Sequence, residues 1–291
     1  MPVRVYRSSD SGAPTLNGTA GSLIAVLRAC LVDGYGSQDP LGWSMPYTDG
    51  NNPPQRAHFR QAAKTGWAQY DIEVRDDSVM TWGSSTRHVQ MWGWAGATGL
   101  ATGEISFPTR DTNGGALAKS ATSDGTARRW LLVGTDRSFI FVSYSTEQSD
   151  WGYGTAFFFG DLIPVSSTDV WAVALIGGRI PSYPGLARIE DNDSTIVRAL
   201  PYTFQGAPGP VWVQRWWPAG MKSDDSATGN GYIVYPNGPD GRGYIERVLT
   251  HESGHFRALI PGFWVPLHNW KSNSAIYDWQ EFAGSGDLAG R

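Results

Sequence analysis

The sequence predicts a mainly β fold of antiparallel, sandwich-like sheets with one N-terminal α-helix, and three observations predict it. The chain of 291 residues carries 36 Gly and 14 Trp, a mixture that suits turn-rich β structure with wide aromatic surfaces. Several short segments alternate strictly between apolar and polar residues, the period of a half-buried strand. Only Gly21 to Val32 reads cleanly as a helix.

Taken in order, Val3 to Tyr6 alternates as a first strand, and Ser8 to Gly18 is a Gly/Pro/Ser/Asn loop. In the helix that follows, Leu23, Ile24, Leu27, Cys30 and Leu31 share one side. Ser22 or Thr19 supplies the expected N-cap, and Asp33-Gly34 the stop. Burying each large apolar side chain is worth roughly 1.5–3 kcal/mol before entropy, so this helix is expected to plug the space beneath the sheets.

Tyr35 to Pro54 reads as a long ordered loop holding one short strand. Gln69 to Asp76 places Tyr70, Ile72 and Val74 on one face and Asp71, Glu73 and Arg75 on the other, a half-buried strand with a solvated polar side. His88 to Trp94 repeats the pattern, and Arg129 to Val133 with Ser138 to Tyr144 makes a hairpin. Thr155 to Ile163 and Val170 to Ile176 do not alternate, which suits strands covered on both faces, with a buried helix as the alternative for the second. Val211 to Trp217, Tyr232 to Tyr235, Tyr244 to Leu249 and Phe256 to Leu267 complete the strand-like segments. The prolines and glycine of Arg179 to Gly185 mark the expected boundary between a helix-containing β lobe, 1–178, and a second β lobe, 179–291, with one compact unit as the alternative.

A net charge of −4 with no basic block argues against a nucleic-acid partner. The single cysteine, Cys30, excludes an internal disulfide framework and lies on the apolar side of the helix, where a thiol is inert. Arg4 and Arg7 precede an apolar run ending at Cys30, but Arg28 interrupts it and a Gly/Pro/Asn loop separates it from the basic start, so it is not read as a lipoprotein signal. No stretch is long enough to cross a bilayer, and a soluble protein without membrane insertion is expected.

Two stretches carry a resemblance. Gly12-Ala-Pro14, Gly18 to Ile24, Ala29 to Gly36 and Gly42-Trp43 resemble the start of an uncharacterised family of virion structural proteins in tailed double-stranded DNA bacteriophages, and Pro261 to His268 resembles its distal segment. The resemblance is loose in between, and no motif in it is catalytic. It implies a non-enzymatic particle component, on the head as decoration or in the tail or its tip, made in the bacterial host cytoplasm and acting through surfaces. Its implied partners are other virion proteins and further copies of itself in a symmetric homo-oligomer; no cofactor and no metal is implied.

The sharpest chemical motif points elsewhere. His251-Glu252-Ser-Gly-His255 is a full H-E-x-x-H, which on a helix puts two imidazoles on one face to bind zinc and a glutamate to polarise water, with His268 as a conceivable third ligand. Its local grammar opposes that chemistry, because Ser253-Gly254 is a turn signal between two strand-like runs and Pro261 leaves a helix little room. Asp76-Asp77 and Asp191-Asn-Asp193 are weaker candidates for calcium or for glycosidase carboxylates. A third hypothesis is glycan or receptor binding, with Trp92, Trp94, Trp212, Trp216 or Trp217 stacking on sugar rings.

Overall fold

The computed structural model describes residues 2–79, 81–82, 86–108, 114–144, 154–164, 166–177, 197–202, 208–212, 214–216, 242–250 and 256–266. The described residues are mainly β, in antiparallel sheets, with one short helical segment near the N-terminus.

One seven-stranded sheet orders β1 (Arg4–Arg7), β9 (Trp130–Gly134), β10 (Ser138–Tyr144), β11 (Gly154–Asp161), β13 (Val173–Gly177), β14 (Val197–Tyr202) and β15 (Pro208–Trp212). A second is built on β2 (Ser44–Thr48), β3 (Arg56–Arg60), β4 (Tyr70–Arg75), β6 (Thr86–Ala95) and β5 (Thr81–Trp82), with β7 (Ile105–Phe107) and β8 (Gly115–Ser120) also paired to β6. A four-stranded sheet orders β12 (Ile163–Pro164), β18 (Phe256–Pro266), β17 (Arg242–Thr250) and β16 (Gln214–Trp216).

The two larger sheets share one core. Phe59, Ile72, Val74, Met91 and Phe107 from one meet Leu132, Phe139, Phe141, Phe157 and Phe159 from the other, and the rings of Phe107 and Phe159 stack at 6.1 Å. Such offset aromatic pairs add to the free energy of area burial, which accounts for part of the aromatic load. As expected, β11 and β13 are covered on both faces: Phe157, Phe158 and Phe159 are all buried, as are Ala174, Leu175 and Ile176.

The helix lies in that core. Helix α1 (Ser22–Arg28) runs into a π-helical turn at Ala29–Asp33, and all five side chains of its predicted stripe are completely buried. Gly34 ends it with φ +79°, a conformation that a Cβ disfavours. The N-cap differs from expectation. Gly21 occupies that position without a capping side chain, Ser22 instead donates to the carbonyl of Asn17, and Thr19 to the side chain of Asn17. The Leu23 N–H is satisfied by Asp76 Oδ2 at 2.8 Å, from beyond the end of β4.

Five strands exceed the sequence reading. β3, β5, β7, β8 and β14 were not expected, because β5 and β7 are only two and three residues long and the others are short and carry charge, glycine or proline within them. Val211 to Trp217 is not one strand: it divides between β15 and β16, which belong to different sheets. The lobe boundary at 179–185 and the strand at 232–235 lie outside the described residues; β13 and β14, on either side of that boundary, pair in one sheet.

Candidate functional site

Among the described residues, a cluster of ionisable side chains lies on the face of the second sheet that points away from the shared core. Strand period puts Arg56, His58 and Arg60 of β3 on that face while Ala57 and Phe59 enter the core. Register sets His58 opposite Glu73, Arg60 opposite Asp71, and Tyr47 of β2 opposite His58. On the far side of β4, Trp92 and Trp94 of β6 stand opposite Glu73 and Asp71.

This face is not solvated, which corrects the sequence reading of β4. Asp71, Glu73, His58, Trp92 and Trp94 are all buried. Ala97 and Ala101, from the segment after β6, pack with the two tryptophans, and the Ala97 carbonyl accepts from Arg60 at 2.9 Å and from the Tyr47 hydroxyl at 3.2 Å.

Buried charge is tolerable only when paired, and here it is paired throughout. Arg60 grips Asp71 with two nitrogens, at 2.8 and 3.1 Å. Glu73 accepts from Arg56 Nε on one oxygen and from the Trp94 indole N–H on the other, both at 2.8 Å. The His58 ring lies between the two acids, Nδ1 3.4 Å from Asp71 and Nε2 3.5 Å from Glu73. Burial disfavours the charged ring, but the two carboxylates outweigh it and raise its pKa. Burial likewise works against Glu73, yet His58 and Arg56 lower it to about 2.

Two smaller sites, one partly and one completely buried, repeat the pattern. Arg137 holds Asp161 through Nε and Nη2 at 2.8 and 3.0 Å and also donates to the carbonyls of Ala62 and Ala68, while Gln61 Nε2 adds a bond to Asp161. The set ties the β10–β11 pair to the segment between β3 and β4. Lys119 of β8 pairs with Asp76, and both side chains are completely buried.

The residues singled out by sequence fall as follows. Trp92 and Trp94 are closed against the fold and cannot offer open faces to a sugar. Trp212 and Trp216 lie on β15 and β16, and Trp217 lies outside the described residues. Asp76 is committed to Lys119 and Leu23, and Asp77 to Arg75 at 2.6 Å, an arrangement unlike a calcium loop; Asp191 and Asp193 lie outside the described residues. Cys30 is a free, buried thiol whose pKa burial pushes well up. His251, Glu252, His255 and His268 lie outside the described residues, but β17 and β18 pair antiparallel up to Thr250 opposite Phe256. Among the described residues no group of three or more His, Cys, Asp and Glu is disposed to hold a metal ion.

Compared with family models, with curated proteins and with solved structures, the chain matches none. The cluster around His58 was missed by sequence reasoning, although Arg-x-His-x-Arg in β3 and Asp-x-Glu in β4 are complementary at period two.

Proposed function

We propose that this protein is a non-enzymatic structural component of a tailed bacteriophage particle, head decoration or part of the tail, that acts through assembly surfaces. The observation that carries the reading, beside the resemblance of residues 12–43 and 261–268, is that buried Asp71, Glu73 and Asp76 and half-buried Asp161 spend both oxygens inside the fold. Asp71 is held by Arg60, Glu73 by Arg56 and Trp94, Asp76 by Lys119 and Leu23, and Asp161 by Arg137 and Gln61. A general acid or base must reach a substrate proton, and these groups already have partners on each oxygen.

The segments that carry the resemblance serve packing. A Cβ on Gly18 would stand 1.9 Å from the Thr122 carbonyl oxygen, so the loop before the helix abuts the β8–β9 connection as only glycine allows. Trp43 donates to the Thr135 carbonyl at 2.9 Å and packs edge-on against Phe139. Such residues fit a rigid part better than a catalyst that must open and close.

The zinc-peptidase alternative has less support. The described residues on either side of the motif, up to Thr250 and from Phe256, pair as antiparallel strands, which lends no support to the helical setting this zinc chemistry needs. The deciding experiment is to locate the chain in intact purified particles, by peptide mass spectrometry and particle imaging. Stoichiometric, symmetrically arranged copies are expected; particles of the phage encoding it that lack the chain would overturn the proposal.

A further inference from the structure

Lys119 and Asp76 are sequence-distant, completely buried and in direct side-chain contact. They sit at the ends of β8 and β4, which flank β6. Around them the polar partners are few and specific. Lys119 Nζ also donates to the Thr19 carbonyl and, at 3.2 Å, to Ser22 Oγ, and Asp76 Oδ2 accepts the Leu23 N–H at 2.8 Å.

We propose that Lys119 and Asp76 are the partners of an intramolecular isopeptide bond, formed after folding by condensation of the lysine amine with the aspartic acid carboxyl. The neutral Nζ attacks Cγ of the protonated carboxyl. The Cγ–Nζ bond forms, the Cγ–Oδ1 bond breaks, and Oδ1 departs as water with the carboxyl proton and one amine proton. No electron changes hands and no co-reactant is needed. The amine already donates to Oδ1, so the proton travels along an existing contact to the oxygen that leaves.

Three physical arguments support the step. The reacting groups are held together by the fold, which replaces an encounter in solution with a very high effective concentration. An ammonium and a carboxylate taken out of water each carry a desolvation cost, which a neutral amide removes. Burial accordingly pushes Asp76 up to about 6, with the Asp77 charge adding to the effect, and pushes the Lys119 amine down, although each group's pairing with the other opposes the shift.

The product also keeps polar partners in its surroundings. The one remaining amide N–H has the Thr19 carbonyl as acceptor, and the amide oxygen, Asp76 Oδ2, keeps the Leu23 N–H. The link would close the chain from 76 to 119 covalently and clamp the start of the helix to the sheet.

The test is the intact mass of the full wild-type chain, purified folded, incubated and then denatured. The expected mass is lower than that of the sequence by one water, and proteolysis yields a branched peptide joining Lys119 to Asp76. Asp76→Ala and Lys119→Ala chains should each carry the full mass of their own sequences. Wild-type protein at full sequence mass after prolonged incubation, with Lys119 and Asp76 recovered in linear peptides, overturns the proposal. So does a water loss that maps elsewhere, such as a succinimide at Asp49-Gly50.

Discussion

The indole N–H of Trp94 donates to Glu73 Oε2 at 2.8 Å, diagonally across the β4–β6 pair, in a site closed to solvent. A sheet face that alternation marks as polar is thereby sealed by an aromatic residue that satisfies one of its charges.

That bond gives the first prediction. Trp94→Phe keeps most of the apolar contact but removes the donor, and a buried acceptor that loses a partner costs about 1–3 kcal/mol. Urea unfolding should show a loss of that size, and the cost should fall when Glu73→Gln is already present, because the two residues act as a unit. Equal costs in both backgrounds would show that the bond contributes nothing.

The His58 cluster makes stability depend on pH in two directions. His58 titrates above its ordinary value, so its stabilisation is fully present below the usual histidine range and is lost as pH rises through the raised folded value. Glu73 is lowered to about 2, so its stabilisation is present above the usual glutamate range and is lost as pH falls towards that value. The urea midpoint should therefore be highest between these limits, and His58→Gln should flatten the alkaline side. An unchanged alkaline slope in that variant would remove His58 from the account.

Leu27 tests the helix as a core element. It is completely buried in the cluster shared by both large sheets, so Leu27→Ala should cost about 2–5 kcal/mol, and Leu27→Asp should abolish soluble folded protein. Thermal melting that does not move in the alanine variant would make the stretch peripheral.

Arg137 joins elements from the two large sheets. Replacing it strands Asp161 and frees the carbonyls of Ala62 and Ala68, so Arg137→Met should destabilise by about 3–5 kcal/mol. Asp161→Asn in the same chain should recover part of the loss by removing the unpaired charge. No recovery in the double variant would place the effect in the two carbonyl bonds alone.

The H-E-x-x-H motif is tested by metal analysis. Purified chain should carry no stoichiometric zinc, and a chelator should leave the melting temperature unchanged. About one zinc per chain, lost on His251→Ala, would promote the peptidase.

The sequence by itself determined the fold class, the buried stripe of the helix and the faces of β4 and β6, because period two and period 3.6 are local properties of neighbouring residues. The hairpin of β9 and β10 was legible for the same reason, its strands lying on either side of one turn. Local periodicity separates two faces without saying what covers each. Only the tertiary structure decided that Asp71 and Glu73 are buried, because the segment carrying Ala97, beyond the strand that adjoins them, folds back over their side of the sheet. It also decided the helix cap: Asp76 takes the place that Ser22 and Thr19 filled in the sequence reading, from a strand end brought close by packing of the helix against β3, the neighbour of β4. The complementary charges of β3 and β4 were written in the sequence, but a charge pair gains its meaning from register and from exclusion of water, and both are set between segments rather than within them.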